Sequence, residues 1–286
     1  MRRFEYLQPA NADEAVALLA RHGGRASVLA GGTDLLVEIK EHVRAPDYVV
    51  DIKKIRGIAN LESNPDGLTI CALTTARDVE QSQQIHRNYA GLWQAVRELG
   101  SIQIRNRATV VGNVCRASPS ADTLAPLIAD GASLLILGAN GQRIVNMEAF
   151  FTGPGRTVLR PDEIVTGIKV PPPQPGTGKC YIKHGRRKAM ELATVGVAVT
   201  LTMADGVCRD IRIVLGAVAP TPIRVANAEA ALRGKRIDVS SIGDAARLAM
   251  QVATPISNVR ASADYRKRMV EELTRRAIVQ ALEAIR

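Results

Sequence analysis

The chain has 286 residues, 46% hydrophobic but only 3% aromatic, with 38 Lys and Arg against 28 Asp and Glu for a formal net charge of +10. That length supports two domains and a sizeable core. Scarce aromatics count against a base-stacking reader of single strands, and the basic residues lie interspersed with acids, so the positive excess suits an acidic partner or a phosphate-bearing ligand better than nucleic acid.

In chain order, residues 4–7 read as a strand, 12–22 as a helix capped near Asn11 or Asp13 and stopped by Gly23-Gly24, 27–29 as a strand, 35–42 as a short helix and 47–52 as a strand. Beyond them come hairpin signals, with strands at 57–61 and 68–71 around the turn Asn64-Pro65-Asp66-Gly67. Helices follow at 75–84 and 86–99, residues 101–120 read as irregular and polar, and 122–129 as a helix with Asp122 at its cap. Strands at 132–137 and 143–145 flank Ala139-Asn140-Gly141-Gln142, and 163–170 is a further strand. The run PPPQPGTG, 171–178, is the strongest linker and sets the expected boundary between domains 1–170 (subdomains of about 1–55 and 56–170) and 179–286. Three strands at 181–185, 195–203 and 211–218 then precede helices at 224–233, 241–252 and 262–285, the last with an apolar stripe of Met269, Leu273, Ile278 and Leu282. Runs of strands followed by runs of helices argue for an α+β class.

Several chemistries lack their signatures. No apolar stretch reaches the ~20 residues of a membrane span, and MRRFEYLQPANADEA has no apolar core after its basic start, so the expectation is a cytoplasmic protein without a leader. Cys71, Cys115, Cys180 and Cys208 stand far apart with no metal-ligand spacing, which predicts reduced, structural thiols and no zinc or iron–sulfur site on this chain. There is no G-x-x-x-x-G-K-[ST], no G-x-G-x-x-G opening a helix, no H-E-x-x-H and no G-x-S-x-G.

Two segments carry positive information. In SVLAGGTDLLVEIK, residues 27–40, Gly31-Gly32 separates a strand from a helix. Such a pair is either a tight turn or a cradle whose bare amides approach a phosphate. In IRNRATVVGNVCRASPSAD, residues 104–122, Thr109, Gly112-Asn113, Ser118-Pro119-Ser120 and Asp122 sit close together. Structurally this is a turn at Gly112-Asn113 and a helix cap at Asp122; functionally it offers hydroxyl, amide and carboxylate groups to a polyol and a phosphate. Two such loops ~80 residues apart suit one long ligand held at two points, such as a dinucleotide.

With these motifs the chain resembles the FAD-binding subunit of the molybdenum-containing hydroxylases, the flavoprotein parts of xanthine dehydrogenase, carbon monoxide dehydrogenase and 4-hydroxybenzoyl-CoA reductase. The likeness runs over essentially the full length and rests on VLAGGTDLL (28–36), QIRNRATVVGNVCRASPSADT (103–123), YIKHGRR with the later ELATVGVAV (181–199) and VRASADYRKRM (259–269). It implies a vanillyl-alcohol-oxidase-like (PCMH-type) FAD-binding domain of two subdomains, followed by a C-terminal α+β domain. It also implies that Leu29, Ala30, Gly31, Gly32, Thr33, Asp34 and Leu35 wrap the FAD pyrophosphate, that Thr109, Gly112 and Asn113 reach the phosphates and nearby atoms, that Asp122 accepts from ribityl or ribose hydroxyls, and that Lys183 lies near the flavin. No residue is assigned to catalysis on an organic substrate or to a metal.

On this resemblance the chain is an electron-transfer subunit of a heterotrimer or its dimer. A large partner with molybdopterin-bound molybdenum oxidises a purine, N-heterocycle or aromatic compound, a small partner carries 2Fe-2S clusters, and FAD passes the electrons to NAD or another acceptor. The basic last helix, Arg97 to Arg107 and Arg186-Arg187 are candidate docking surfaces. Three departures stand out. Val111 replaces the first glycine of the family's T-[IV]-G-G-N, Thr33-Asp34 follows the first Gly-Gly where carbon monoxide dehydrogenase subunits tend to carry His-Ser, and there is no cysteine cluster for the extra 4Fe-4S centre of the hydroxybenzoyl-CoA branch. The alternatives are a stand-alone flavin oxidoreductase of the same fold and a non-catalytic assembly module whose flavin site has decayed.

Overall fold

A computed structural model describes residues 2–285. The chain begins with β1 (Glu5–Leu7), α1 (Ala12–His22), β2 (Ala26–Leu29), α2 (Leu35–Lys40) and β3 (Tyr48–Asp51). β3 lies between β1 and β2 and pairs parallel with both. A central parallel strand is covered on both faces, and Val49 and Val50 are fully buried. Asn11 caps α1 by accepting from the Glu14 amide at 2.9 Å, and Gly23, with φ of +56°, takes the chain out of the helix.

Next come β4 (Leu61–Asn64), β5 (Gly67–Cys71), α3 (Ala76–Gln81), α4 (Gln83–Asn88), α5 (Ala90–Glu98), α6 (Ile102–Arg105), α7 (Val110–Arg116), α8 (Leu124–Ala129), β6 (Ser133–Gly138), β7 (Gly141–Asn146), β8 (Phe151–Gly153), β9 (Arg156–Thr157) and β10 (Ile164–Val170). Their five-stranded antiparallel sheet has the order β4-β5-β10-β6-β7, and β8 pairs with β9 alone. β10 enters between the hairpins β4–β5 and β6–β7, so the six helices α3 to α8 form one insertion on this sheet.

Several expectations need correction here. The first strand of the NPDG hairpin is 61–64 and not 57–61, because the turn itself pairs Asn64 with Gly67. Residues 101–120 are not irregular: they hold α6 and α7, and Gly112-Asn113 is part of α7 instead of a turn. A segment reading VVGNVCR has β-branched residues and a glycine and little helix propensity. Burial of Val110, Val111 and Val114 in the core, with Thr109 capping the helix, overrides that deficit. Asp122 does not cap α8; Thr123 occupies that place and makes no side-chain cap bond. Strands β8 and β9 were not anticipated.

The last part comprises β11 (Thr177–His184), β12 (Val195–Ala204), β13 (Val207–Gly216), β14 (Ile223–Arg224), α9 (Ala226–Leu232), α10 (Val239–Val252) and α11 (Ala263–Glu283). The strands form an antiparallel meander in chain order. Side chains of a strand alternate between faces. Cys180, Val195, Val197, Val199, Ile211 and Ile213 therefore join the core under α9 to α11. Tyr181, Ala198 and Val214 join the other core, against α5 and α8. Burial on both faces explains the nearly unbroken apolar run VGVAVTL. In α11 the buried line is Val270, Leu273, Thr274, Ala277, Ile278 and Ala281, with Met269 and Leu282 half-buried at its edges.

Thr177 and Gly178, expected in the linker, belong to β11. Gly178 is required there by a close approach: a Cβ would stand 1.8 Å from the Ala281 carbonyl oxygen of α11. Gly178→Ala must lift α11 off the sheet, and we expect a loss of about 3 kcal/mol and a fall in Tm of roughly 5–10 °C, read by thermal unfolding. Gly206→Ala is no control for this, because Gly206 has positive φ; Gly24→Ala, with open space around it and ordinary φ, should leave Tm within about 1 °C.

Candidate cofactor-binding site

The site is built where β2 ends. Leu29 closes the strand and is buried, and the chain crosses from Ala30 through Gly31, Gly32, Thr33 and Asp34 to α2. Gly32 has φ of +77°, a conformation that side chains resist. Gly31 is needed for a different reason. A Cβ there would lie 2.1 Å from the Arg107 carbonyl oxygen, so the backbone of the second segment is laid directly on the first. Among the described residues, the amides of Gly31, Gly32, Thr33 and Asp34 donate to no protein acceptor. A run of unpartnered N–H groups in a cleft wall is suited to anionic oxygens.

The second segment is held by a buried ion pair that sequence reasoning missed. Arg105 Nε and an Nη donate to the Glu80 carboxylate at 2.9 and 3.2 Å, and the other Nη donates to the Arg97 and Leu99 carbonyls at 3.1 and 3.0 Å. Burial pushes the Glu80 carboxyl up, but hydrogen bonds from Arg77 and Arg105 outweigh it and hold it below the usual range. Arg105 thus works inside the protein, and Arg97 lies over the Trp93 ring at 4.5 Å. Neither arrangement could be read from the arginine-rich run itself.

Beyond this clamp, the Ala76 amide donates to the Ala108 carbonyl and the Val110 amide to the Thr74 carbonyl, at 2.8 and 3.2 Å. Thr109 then caps α7, its hydroxyl accepting from the Gly112 amide at 3.0 Å. A Cβ on Gly112 would come within 2.6 Å of that oxygen. On the next position, Asn113 accepts the Thr123 hydroxyl at 2.7 Å on its carbonyl oxygen.

These segments enclose one cleft of about 500 Å³. Ala30, Gly31, Gly32, Thr33, Asp34 and Leu35 line one wall, and Thr109, Gly112, Asn113 and Asp122 line another. Leu29 lies behind the wall at the strand end. Lys183 does not line the cleft. Its ammonium donates to the Asp122 carboxylate and to the Glu98 carbonyl, both at 2.9 Å, and its side chain is 5% exposed, so it stands directly behind a carboxylate of the cleft wall. The cleft also takes in residues that were not foreseen. Arg116 pairs with Glu38 at 2.7 Å, and Glu38 also with Arg44 at 3.0 Å. Arg116 stands one helical turn after Asn113, a spacing that could have flagged it. Met190, Glu191 and Leu192 reach the cleft from the C-terminal part; the last two open the ELATVGVAV motif, which gave no role to either.

Asp122 is buried at the cleft wall, accepting from the Tyr181 hydroxyl and from Lys183, each at 2.9 Å. Burial favours its neutral form and pushes the carboxyl up to about 6, against the opposing pull of Lys183 and Tyr181. The thiol of Cys115, also at the cleft, is pushed up to about 12 by burial, so it stays protonated and is no nucleophile at neutral pH.

Comparison with known proteins gives the family. The family described as the FAD binding domain in molybdopterin dehydrogenase matches residues 2–173, and the CO dehydrogenase flavoprotein C-terminal domain matches 180–281. The chain belongs to the FAD-binding subunits of the molybdenum hydroxylases. As a member it is an oxidoreductase subunit. It is 33% identical to the carbon monoxide dehydrogenase medium chain of Hydrogenophaga pseudoflava over 96% of each chain. To the xanthine dehydrogenase FAD-binding subunit of Escherichia coli O157:H7 it is 31% identical, over 98% of this chain and 96% of that one. Among solved structures, it superposes with a TM-score of 0.96 and 34% identity on carbon monoxide dehydrogenase from Hydrogenophaga pseudoflava lacking the Mo-pyranopterin moiety, covering 99% of both chains. With quinoline 2-oxidoreductase from Pseudomonas putida 86 the TM-score is 0.92 at 27% identity, over 99% of this chain and 98% of that one.

The residues present fit FAD. Free amides at Gly31 to Asp34 match a pyrophosphate, and a buried carboxylate at Asp122 can accept from a hydroxyl. Val111, the departure from the family's double glycine, is 4% exposed and packs into the large core while lining the cleft floor. α7 absorbs the extra side chain, and the cap from Thr109 to Gly112 stays intact. Gly31→Ala would force the two segments apart, and we expect FAD affinity to fall by about tenfold or more, whereas Gly24→Ala, outside the cleft, should leave it unchanged. Flavin fluorescence titration of the apoprotein checks both.

Proposed function

We propose that this subunit binds FAD in the cleft between the Gly31-Gly32 loop and α7 and serves as the electron outlet of a three-subunit molybdenum hydroxylase. The observation that carries the reading is the direct backbone contact of the two loops, with Gly31 against the Arg107 carbonyl, which joins both polar segments into one cradle. On this reading Ala30 to Leu35 form the pyrophosphate wall with Leu29 behind it, and Gly31, Gly32, Thr33 and Asp34 donate from the backbone. Thr109, Gly112 and Asn113 shape the opposite wall, and Asp122 accepts from a ribityl or ribose hydroxyl. The fold is then of the vanillyl-alcohol-oxidase-like, PCMH type, with the FAD domain in residues 1–170, its two subdomains meeting at about 55, and the C-terminal domain, expected in 179–286, taking in the whole of β11 from Thr177.

When bound, FAD supplies the exchange between one-electron and two-electron carriers, linking 2Fe-2S clusters on a small partner to NAD or another acceptor. The chain's residues hold, orient and desolvate it, and free amides supply positive potential for its phosphates without a proton to lose. No side chain here acts on the organic substrate, which we place on a large molybdopterin-binding partner as a purine, N-heterocycle or aromatic compound. Thr33-Asp34 supports that class over carbon monoxide, although identities of 33% to a carbon monoxide dehydrogenase chain and 31% to a xanthine dehydrogenase chain do not separate the two. Four free cysteines fit the reducing cytoplasm.

The test is affinity purification of the tagged full chain from its own cells. The expected result is a yellow protein that releases FAD on heating, co-purifies with a large molybdenum-containing chain and a small iron–sulfur chain, and is bleached by the oxidisable substrate class. A colourless, folded chain that stays colourless with added FAD would overturn the cofactor reading. A flavin-bearing chain isolated alone, with its own oxidase activity, would favour a stand-alone oxidoreductase.

A further inference from the structure

β11 places a tyrosine and a lysine two residues apart, so both side chains leave the same face of the strand. That face looks onto the FAD-binding part. The Tyr181 hydroxyl donates to one oxygen of Asp122 and the Lys183 ammonium to the other, at 2.9 Å in each case, while Lys183 also holds the Glu98 carbonyl at the end of α5. The Tyr181 backbone amide donates to the Gln94 side chain of α5 at 2.6 Å, which fixes the strand against that helix. On the neighbouring strand, Gly196 stands opposite Lys183. A Cβ at Gly196 would come within 3.0 Å of the Tyr181 hydroxyl oxygen, so the glycine leaves the slot in which the phenol lies. Both oxygens of the buried Asp122 carboxylate at the cleft wall are therefore gripped from the C-terminal domain.

We propose that Tyr181 and Lys183 are positioning residues that fix the orientation and the negative charge of Asp122, so that the C-terminal domain, without touching the cofactor through them, sets how FAD binding depends on pH. This rests on the reading of the cleft as the FAD site. A carboxylate pinned at both oxygens presents its remaining lone pairs in one direction, as an acceptor. Lys183 opposes both burial and the Glu98 carboxylate, which favour the neutral acid. If the lysine charge is removed, the carboxyl holds its proton to higher pH, carries an O–H donor further toward neutrality and keeps only a neutral, weaker acceptor oxygen. The other charged groups at the cleft are Asp34, Glu38, Arg44, Arg116, Glu163 and Glu191, and none is hydrogen-bonded to Asp122.

The experiment titrates FAD into the full-length apoprotein from about pH 5 to about pH 8.5, for wild type, Lys183→Met, Lys183→Arg, Tyr181→Phe and Asp122→Asn, with Tm measured in parallel. Wild type should bind more tightly as pH rises through about 6 and then level off. Lys183→Met should lie close to wild type near pH 5, bind about threefold more weakly near pH 6.5, and approach wild type again by about pH 8.5, its inflection moved upward by about one pH unit. Lys183→Arg should restore most of the affinity, and Asp122→Asn should remove the inflection, leaving only what other groups contribute. A uniform weakening of Lys183→Met at every pH, or an unchanged profile, would overturn the positioning role and reduce the lysine to a packing element. If Lys183→Met does not fold, the same comparison is made with Tyr181→Phe, for which a smaller upward displacement is expected and an unmoved inflection counts against the proposal. Wild type that binds no FAD at any pH sinks the site assignment itself, an outcome distinct from a wild type that binds while the variants keep its profile.

Discussion

One strand face holds the molecule together. Lys179, Tyr181 and Lys183 leave β11 on the same side and meet acids of the FAD-binding part: Lys179 pairs with Asp130 at 2.9 Å, and the other two share Asp122. Thr200 on β12 adds a bond to Asp130 at 2.7 Å, and the Lys179 ammonium lies over the Tyr89 ring at 4.3 Å. Each of these charges is buried, and a buried charge is tolerated only when paired and hydrogen-bonded. The period of two in a strand makes the register strict. A slip of one residue would present Cys180 and Ile182 to the carboxylates and leave both lysines in the apolar core under α11.

The cleft depends on this seam and on a second contact, the backbone of Arg107 lying against Gly31. The loop after β2 leaves four amides without a protein partner, an expense in free energy that a compact domain avoids unless a ligand answers it. The ion pair of Arg105 with Glu80 holds the opposite wall without entering the cleft. Regions distant in sequence, among them residues 28–38, 99–122, 159–165 and 190–192, therefore contribute to one cavity.

Much of this was legible in the sequence where local rules apply. The alternating β and α of the first part, the NPDG and ANG turns, and the long helix at the end follow from caps, glycines and periodicity. The two glycine-bearing loops were legible as a pair because their residue types suit phosphates and hydroxyls. What could not be read rests on long-range packing. Helix α7 forms from VVGNVCR because its valines are buried, and Gly178 looks like linker until α11 is laid over it. Asp122 looks like a helix cap because its partners are 59 and 61 residues away. For the same reason the acid that Lys183 meets could not be read: a basic residue in a motif does not name its partner. The pairing of Glu80 with Arg105, 25 residues apart, belongs to the same class.

The seam also bears on modularity. Two family profiles meet at the proline linker, which invites the picture of interchangeable parts. Yet cutting there would strip Asp122 and Asp130 of their cations and bare the faces of α5 and α8 that now rest on the meander. The acids on one side and the lysine–tyrosine–lysine stripe on the other form a lock with a fixed tooth spacing. A graft of one half onto a foreign other half can succeed only if both teeth fall on the same strand face, so the two halves are constrained to change together.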